Sequence, residues 1–72
     1  MNKKEFIKFE KIKNRKRWII LNEKEDDALG EIYYNSGWHK FVAEFNTYSY
    51  FDDSCLQRIT DFVKKLNLKE KV

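Results

Sequence analysis

The sequence predicts an α+β fold, an antiparallel four- or five-stranded sheet (meander) with one C-terminal helix packed on one face. Three observations support this fold class. Up to residue 51 the chain is divided into short runs rich in β-formers that are separated by polar connections. From Asp53 the apolar residues recur with the period of a helix. The 72 residues contain no Pro-, Gly- or Ser-rich linker, so we expect a single domain over residues 1–72.

The first two strands are predicted at residues 5–13 and 17–23. In the first, EFIKFEKIK, apolar and charged side chains alternate imperfectly, as in an edge strand. Residues 14–16 then form a tight polar turn. The second, RWIILNE, is a short apolar run typical of a central strand that is covered on both faces. The charged residues 24–28 follow as an exposed connection.

The next two strands are predicted at residues 29–35 and 38–46. Between them lies Asn35-Ser36-Gly37, the clearest turn signal in the chain, because Asn and Gly both tolerate the positive φ of tight hairpins. Gly30 inside the third strand indicates a bulge or a close approach by another backbone. A short fifth strand at residues 48–51 is the alternative that the pattern leaves open.

The helix is predicted at residues 54–67. Ser54 and Gln57 have the spacing of a capping box at its start, and Lys64 and Lys65 suit the negative pole of the helix dipole near its end. One apolar stripe follows the helical period, and it comprises Cys55, Leu56, Ile59, Phe62, Val63 and Leu66.

Counting layers predicts self-association. One helix covers only one face of the sheet, yet the alternation assigns large apolar side chains to both faces. These side chains are Trp18, Ile19, Ile20, Leu21, Ile32, Tyr33, Tyr34, Trp38, Phe41 and Phe45. We therefore expect a homodimer or a higher homo-oligomer, with a bound partner or a ligand as the other ways to cover the second face.

The charge is distributed unevenly along the chain. The net charge is +3, but residues 1–17 contain eight basic and two acidic side chains, which is +6, and residues 18–72 carry −3. Such a basic patch attracts phosphate on a nucleic acid or on a smaller nucleotide. The alternative is a solvated hairpin whose lysines discourage pairing between sheet edges.

Several classes of protein are disfavoured. The charged amino terminus disfavours a secretory signal, and no later run approaches the ~18 apolar residues of a membrane span, so we expect a cytoplasmic location. One cysteine forms no disulfide or multi-thiolate metal site, and we expect no cofactor and no metal. Pairing of Cys55 with His39 lacks a third residue that orients the histidine, so we expect no enzyme. The acidic residues 23–27 lack the ligand spacing of a calcium loop and are interpreted as a solvated turn.

An ordered set of residues carries a resemblance to a group of short proteins, largely of unknown function, that are encoded by phages, prophages and bacteria. Their pattern runs W-x-x-x-N, LG-x-I-x-[WY], W-R-x-Y-x-F and C-L-x-x-I-x-x-F-I-x-x-L. The matching residues are Trp18, Asn22, Leu29, Gly30, Glu31, Ile32, Tyr34, Trp38, His39, Lys40, Phe41, Val42, Phe51, Cys55, Leu56, Ile59, Phe62, Leu66 and Asn67. The chain departs from the pattern at His39, where Arg is usual, and at Phe41, where Tyr is common. The resemblance implies a phage or prophage setting, and with it a cytoplasmic location in the host bacterial cell.

The candidate site lies where aromatic and basic side chains adjoin. Aromatic rings stack on a purine base, and neighbouring cations meet its phosphates. The site residues are Trp38, His39 and Lys40 at the start of the fourth strand, Tyr33 and Tyr34 across the hairpin, and Arg15 and Arg17 as outlying phosphate partners. The alternative for each ring taken singly is packing in the core or in a dimer interface.

Together, the residues and the resemblance predict a non-enzymatic phage or prophage anti-defence protein. It would sequester a nucleotide-type immune signal or otherwise inhibit a host defence system. Two alternatives remain open: a nucleic-acid-binding module that uses the basic amino-terminal strand, and a protein-binding inhibitor of a host enzyme. They differ in what they need, because phosphate-driven binding weakens steeply with salt and an inhibitor needs a protein partner.

Overall fold

The computed structural model describes residues 7–70, and it confirms the predicted α+β meander. The elements are β1 (Ile7–Lys11), β2 (Arg17–Asn22), β3 (Ala28–Asn35), β4 (Lys40–Phe45) and α1 (Asp53–Glu70). The strands lie in the order β1-β2-β3-β4, and each neighbouring pair is antiparallel. Residues 5 and 6 of the predicted first strand lie outside the described residues.

The first hairpin is shorter than predicted because its turn begins early. β1 ends at Lys11, two residues before the predicted end. The Ile12 N–H donates to the Arg17 carbonyl at 2.9 Å, and the Arg15 N–H donates to the Ile12 carbonyl at 3.2 Å. Asn14 takes the left-handed conformation, with φ of 62°, that lets the chain reverse. The connection therefore spans residues 12–16 and includes the polar turn predicted at residues 14–16.

Residues 48–51 are not a strand, so the sheet has four strands rather than five. The segment after β4 is attached to the start of β3 mainly by side chains. Asn46 donates its backbone N–H to the Leu29 carbonyl at 2.9 Å and its side-chain amide to the Ala28 carbonyl at 2.7 Å. The Ser49 hydroxyl also donates to the Leu29 carbonyl, at 3.0 Å. These hydrogen bonds hold the connection between β4 and α1 against β3 without the regular backbone pairing of a strand.

Both features predicted at Gly30 are present, a β-bulge and a close approach by another backbone. Pairing between β2 and β3 shifts between Ile20 and Leu21, which leaves Leu29 as an extra residue, a β-bulge. A Cβ atom at Gly30 would lie 2.4 Å from the Glu44 carbonyl oxygen of β4. Only glycine fits this close approach.

The core lies between α1 and one face of the sheet, called here the helix face. The Phe9 and Phe62 rings stack with centroids 4.2 Å apart, and Trp18 meets Phe62 edge-on at 5.6 Å. These rings surround a buried cluster of residues from the sheet and the helix. The cluster consists of Ile7, Ile20, Ile32, Phe41, Cys55 and Ile59.

The start of α1 is capped by Asp52, not by the predicted box of Ser54 and Gln57. An Asp52 side-chain oxygen accepts the Cys55 N–H at 2.9 Å, which satisfies one of the free donors of the first turn. This bond holds the pKa of the Asp52 carboxyl below its usual value. Gln57 instead donates to the Asp61 carboxylate at 3.0 Å, one turn further along.

The second sheet face, called here the open face, is far more polar than predicted. By register it presents Arg17, Ile19, Glu31, Tyr33, Val42 and Glu44. Arg17 pairs with Glu31 and lies 4.7 Å from the Tyr33 ring centroid, while the Tyr33 hydroxyl donates to Glu44 at 2.8 Å. This bond raises the pKa of Tyr33.

The expectation of large apolar side chains on both faces is therefore wrong for most of the rings. Trp18, Tyr34, Phe41 and Phe45 alternate onto the helix face, because each lies an even number of residues from, or directly opposite, a core residue. Layer counting alone no longer requires a second subunit, and the homo-oligomer stays a prediction.

Side chains of α1 reach the backbone of both edge strands. Arg58 donates to the Ile7 carbonyl of β1 at 2.5 Å. Asn67 accepts the Phe41 N–H of β4 at 2.7 Å and donates to the Phe41 carbonyl at 3.4 Å. The helix is thus tied across the whole width of the sheet.

Candidate functional site

Three segments meet at one end of the molecule. In an antiparallel meander the β1–β2 turn and the β3–β4 loop lie at the same end, as the pairs Arg17↔Tyr33 and Asn35↔Lys40 require. α1 ends there too, because Asn67 bonds the second residue of β4. We call this the basic end and define it as residues 11–17, 34–42 and 62–69.

Within their defined ranges, the three segments of the basic end contain basic side chains and no Asp or Glu, and the Glu31 carboxylate of β3 pairs with Arg17 at their edge. Residues 11–17 contribute five basic side chains, residues 34–42 one and residues 62–69 three, and none of the three segments contains Asp or Glu. The β2–β3 connection and the start of α1 lie at the other end, where residues 23–27 and 52–53 hold six acidic side chains and one lysine. The modest net charge of +3 therefore conceals a strong separation of charge.

The helix dipole is aligned with this separation. α1 begins at the acidic end, where Asp52 and Asp53 meet its positive pole, and it ends at the basic end with Lys69 in its last turn. Each set of charges is thereby stabilised by the nearer pole of the helix. The fold can accumulate cations at one end at a lower electrostatic cost.

Trp38 and His39 do not begin β4, as the sequence analysis expects, but lie in the β3–β4 loop. Only Lys40 is in the strand. Asn35 accepts the Trp38 N–H with both its side-chain oxygen, at 3.0 Å, and its backbone carbonyl, at 3.2 Å. His39 has a φ of 58°, a conformation in which it, rather than Gly37, reverses the chain.

The two candidate tyrosines lie on opposite faces of the sheet. Tyr33 is on the open face, beneath the Arg17 guanidinium. Tyr34 is on the helix face, where it meets Phe41 edge-on at 5.3 Å and the Lys16 ammonium lies 6.0 Å from its centroid. Tyr34 thus lies at the basic end and Tyr33 next to it, but the two rings do not line one surface.

The candidate cations differ in their surroundings. Arg15 is exposed at the β1–β2 turn, and Lys40 is exposed at the first position of β4. Arg17 is half-buried and paired with Glu31. Arg15 and Lys40 are accessible to a phosphate, whereas Arg17 contacts Glu31 and the Tyr33 ring on the open face.

A third of the basic side chains at the basic end come from α1 and are not part of the predicted site. Lys64, Lys65 and Lys69 read along the chain as an exposed helix end, and they join the amino-terminal cations only through the fold. The signal was available, because any four-stranded meander followed by a helix that packs back along it places these three segments together. Connectivity, rather than composition, was the information needed.

Cys55 and His39 are not brought together. Cys55 is buried in the core near the start of α1, and His39 is in the loop at the basic end. Burial raises the pKa of the Cys55 thiol, with a further contribution from its hydrogen bond to Asp52. This cysteine is a small core residue without the features of a nucleophile.

Two open grooves flank α1. One, of about 450 Å³, lies between α1 and β4 and is lined by Ala43, Phe45, Leu56, Ile59, Thr60, Val63, Lys64 and Asn67. The other, of about 340 Å³, lies towards β1 and is lined by Phe9, Arg58, Asp61, Phe62 and Lys65. The first is mainly apolar and the second mixes rings with charges.

Comparison of the chain with protein-family models, with curated proteins and with solved structures gives no match in any of the three. Over residues 7–70, no helix is both long enough and apolar enough to cross a bilayer. Within the same range, no three His, Cys, Asp or Glu side chains group as a metal site would require.

Proposed function

We propose that the protein is a non-enzymatic nucleic-acid-binding module whose basic end takes the phosphate backbone. One observation carries the proposal: nine basic and no acidic side chains lie on the three segments that meet at this end. Neutralising phosphates with lysine and arginine releases condensed counterions, which drives binding of this kind.

The spread of these cations favours an extended ligand. Neighbouring strands lie about 4.8 Å apart, so the strand ends alone span about 14 Å, and the helix adds a second layer. A single nucleotide reaches only part of such a surface. A nucleic-acid backbone has a phosphate at every nucleotide and can therefore contact cations on several strands and on the helix at once.

The acidic end supports the same ligand class by giving the protein a preferred orientation. Glu23, Glu25, Asp26 and Asp27 repel a polyanion from the β2–β3 connection, whereas the opposite end attracts it. A charge separation of this kind steers the basic end towards the backbone during encounter.

A nucleotide-type immune signal is the second candidate, and with it a phage or prophage anti-defence role. It is favoured by the placement of Trp38 in the β3–β4 loop two residues before Lys40, the first residue of β4, since one ring and one cation suffice for a base and a phosphate. Calorimetric titration with cyclic and ADP-ribose-type nucleotides tests it. Heat with one of these and no binding of any oligonucleotide would favour this candidate over the first.

The test of the proposed function measures oligonucleotide binding by fluorescence anisotropy at a series of salt concentrations. The double variant Lys13→Glu/Arg15→Glu reverses two charges at the basic end, and Lys24→Glu reverses a charge at the acidic end. We expect affinity to fall with salt at a slope of about 0.7 to 0.9 logarithmic units per phosphate contacted. The double variant should bind at least about tenfold more weakly and with a smaller slope.

Lys24→Glu changes the net charge by the same amount as the single variant Lys13→Glu, so it is the control for that variant, and its binding should stay close to that of the wild type. If Lys24→Glu weakened binding as much as Lys13→Glu does, the position of the reversed charge on the protein would not matter, and the basic end would not be the binding surface. Binding that is independent of salt would remove the proposed function.

A further inference from the structure

We infer that Trp38 is a base-stacking residue and that the ligand of the basic end is therefore single-stranded nucleic acid. This inference rests on the proposed function and names its substrate class. Three observations support it. The Trp38 ring is exposed, the neighbouring rings already contact other side chains, and hydrogen bonds fix the conformation of the β3–β4 loop that holds Trp38.

Trp38 presents a large ring to solvent. Its side chain is 68% exposed. Among residues 7–70 its ring takes part in no aromatic pair and no cation–π contact. An indole left in water forgoes the apolar burial that makes tryptophan stabilising in a core. Its faces are open to a planar partner.

The other rings near the basic end are already engaged. Tyr33 has the Arg17 guanidinium over it, and Tyr34 packs against Phe41. Trp18 belongs to the core, where it meets Phe62 edge-on. Trp38 is therefore the ring at this end that can accept a base without rearrangement of the fold.

The loop holds Trp38 in place before any ligand arrives. Two acceptors of Asn35 share the Trp38 N–H, and the left-handed conformation of His39 fixes the return into β4. An ordered backbone costs less conformational entropy on binding than a flexible one. This loop thus supplies a preorganised platform.

The surroundings of Trp38 suit a strand whose bases are accessible. Lys40 follows two residues later, and the cations of residues 11–17 lie at the same end of the sheet. In a duplex the bases are stacked on each other and their faces are hidden. In a single strand each base offers a face, and stacking on an aromatic side chain is worth about 1–3 kcal/mol per base. The combination of one free ring and flanking cations selects the single strand.

The experiment compares Trp38→Ala, Trp38→Phe and Tyr50→Ala in binding to a single-stranded oligonucleotide and to its duplex. Tyr50 is the matched control, because it is 91% exposed in the segment after β4, away from the basic end. We expect Trp38→Ala to weaken single-strand binding roughly tenfold to a hundredfold and to leave duplex binding and the salt slope unchanged. Trp38→Phe should retain most of the affinity, and Tyr50→Ala all of it.

A second readout is tryptophan fluorescence. The chain has two tryptophans, and Trp38→Phe leaves only the half-buried Trp18. Stacking quenches indole emission, so the wild type should be quenched by the single strand and the Trp38→Phe variant should not. Circular dichroism confirms that each variant is folded.

The outcomes separate this inference from the proposed function. If Trp38→Ala binds the single strand as the wild type does while Lys13→Glu/Arg15→Glu binds weakly, the stacking role is wrong and the proposed function stands. Equal affinity of the wild type for single strand and duplex would likewise overturn the inference. If the charge variants bind as the wild type does, the proposed function itself fails.

Discussion

Asn67 bonds both backbone groups of Phe41, accepting the N–H at 2.7 Å and donating to the carbonyl at 3.4 Å. One side chain of α1 thus occupies the donor and the acceptor that the second residue of β4 presents at the sheet edge. This contact fixes the last turns of α1 against the start of β4. It is therefore also the contact that holds the lysines of the helix at the basic end.

Asn67→Ala should destabilise the protein by about 1–3 kcal/mol, because it leaves the backbone N–H of buried Phe41 without its acceptor. Chemical denaturation measures the free energy of unfolding. Leu68→Ala is the control at the neighbouring, exposed position and should change it little. Equal free energies of unfolding for the two variants would show that the Asn67 contact carries no stability.

Gly30→Ala should destabilise the fold by about 1–3 kcal/mol or more, because a Cβ atom there would lie 2.4 Å from the Glu44 carbonyl oxygen and 3.1 Å from the Phe45 Cα. Backbone atoms of β4 cannot move aside as a side chain can. At Gly37 the nearest atom is the side-chain oxygen of Asn35, at 3.2 Å, so Gly37→Ala is the milder control. Thermal unfolding compares them, and a Gly30→Ala melting temperature at or above that of Gly37→Ala would contradict the close approach.

Asp52 should contribute to the pH dependence of stability. The Cys55 N–H that it accepts lowers the pKa of its carboxyl in the folded protein. The carboxylate therefore stabilises the fold above the pKa that Asp has in the unfolded chain, and this contribution is lost as pH falls through the lower, folded pKa.

We accordingly expect Asp52→Ala to lower the melting temperature at neutral pH and to reduce the fall in melting temperature on acidification. Melts from neutral pH down to about pH 2 measure both effects. Asp27→Ala, at an exposed position of the acidic end, is the control and should leave the acid-induced fall almost intact. A difference between the wild type and Asp52→Ala that stayed constant at all pH values would contradict the cap.

Tyr33 should titrate above the usual range of tyrosine, because its hydroxyl donates to the Glu44 carboxylate and the phenolate would lose that bond. Carbon-13 chemical shifts of the tyrosine rings follow the titration. Glu44→Gln removes the negative charge and should lower the pKa of Tyr33. A Tyr33 titration unaffected by Glu44→Gln would exclude this hydrogen bond.

Much of the fold was predictable because local signals agreed with one another. The Asn35-Ser36-Gly37 turn and the helical period from Asp53 onwards gave the order of the elements, and Gly30 marked the bulge. The helix is four residues longer than predicted, Asp53–Glu70 instead of 54–67. Its start was misread because Asp52 competes with Ser54 for the capping position, and both residues accept backbone N–H groups well.

The face that each ring occupies was harder to predict. In RWIILN, β2 places Trp18 and Ile20 in the core and Arg17 and Ile19 on the open face, although the run reads as apolar throughout. The ion pair of Arg17 with Glu31 and the hydrogen bond from Tyr33 to Glu44, each between neighbouring strands, show that this face is polar. Such a cross-strand pair depends on register, which local patterns do not fix.

The arrangement of the candidate site residues was not predictable from the sequence. Trp38 was expected in a strand because the turn was assigned to Gly37, yet His39 adopts the left-handed conformation and the loop extends to it. The helix lysines were not associated with the basic turn because they are some fifty residues away in sequence, a separation that only tertiary structure bridges.

The most direct test of the basic end as a nucleic-acid surface is amide chemical-shift mapping during titration with a single-stranded oligonucleotide. We predict progressive shifts in residues 11–17, 36–40 and 64–69, with the largest indole shift at Trp38. Residues 23–27 at the acidic end should remain unmoved. Shifts centred on the acidic end or on the groove between α1 and β4, with the basic end unperturbed, would contradict the proposed function.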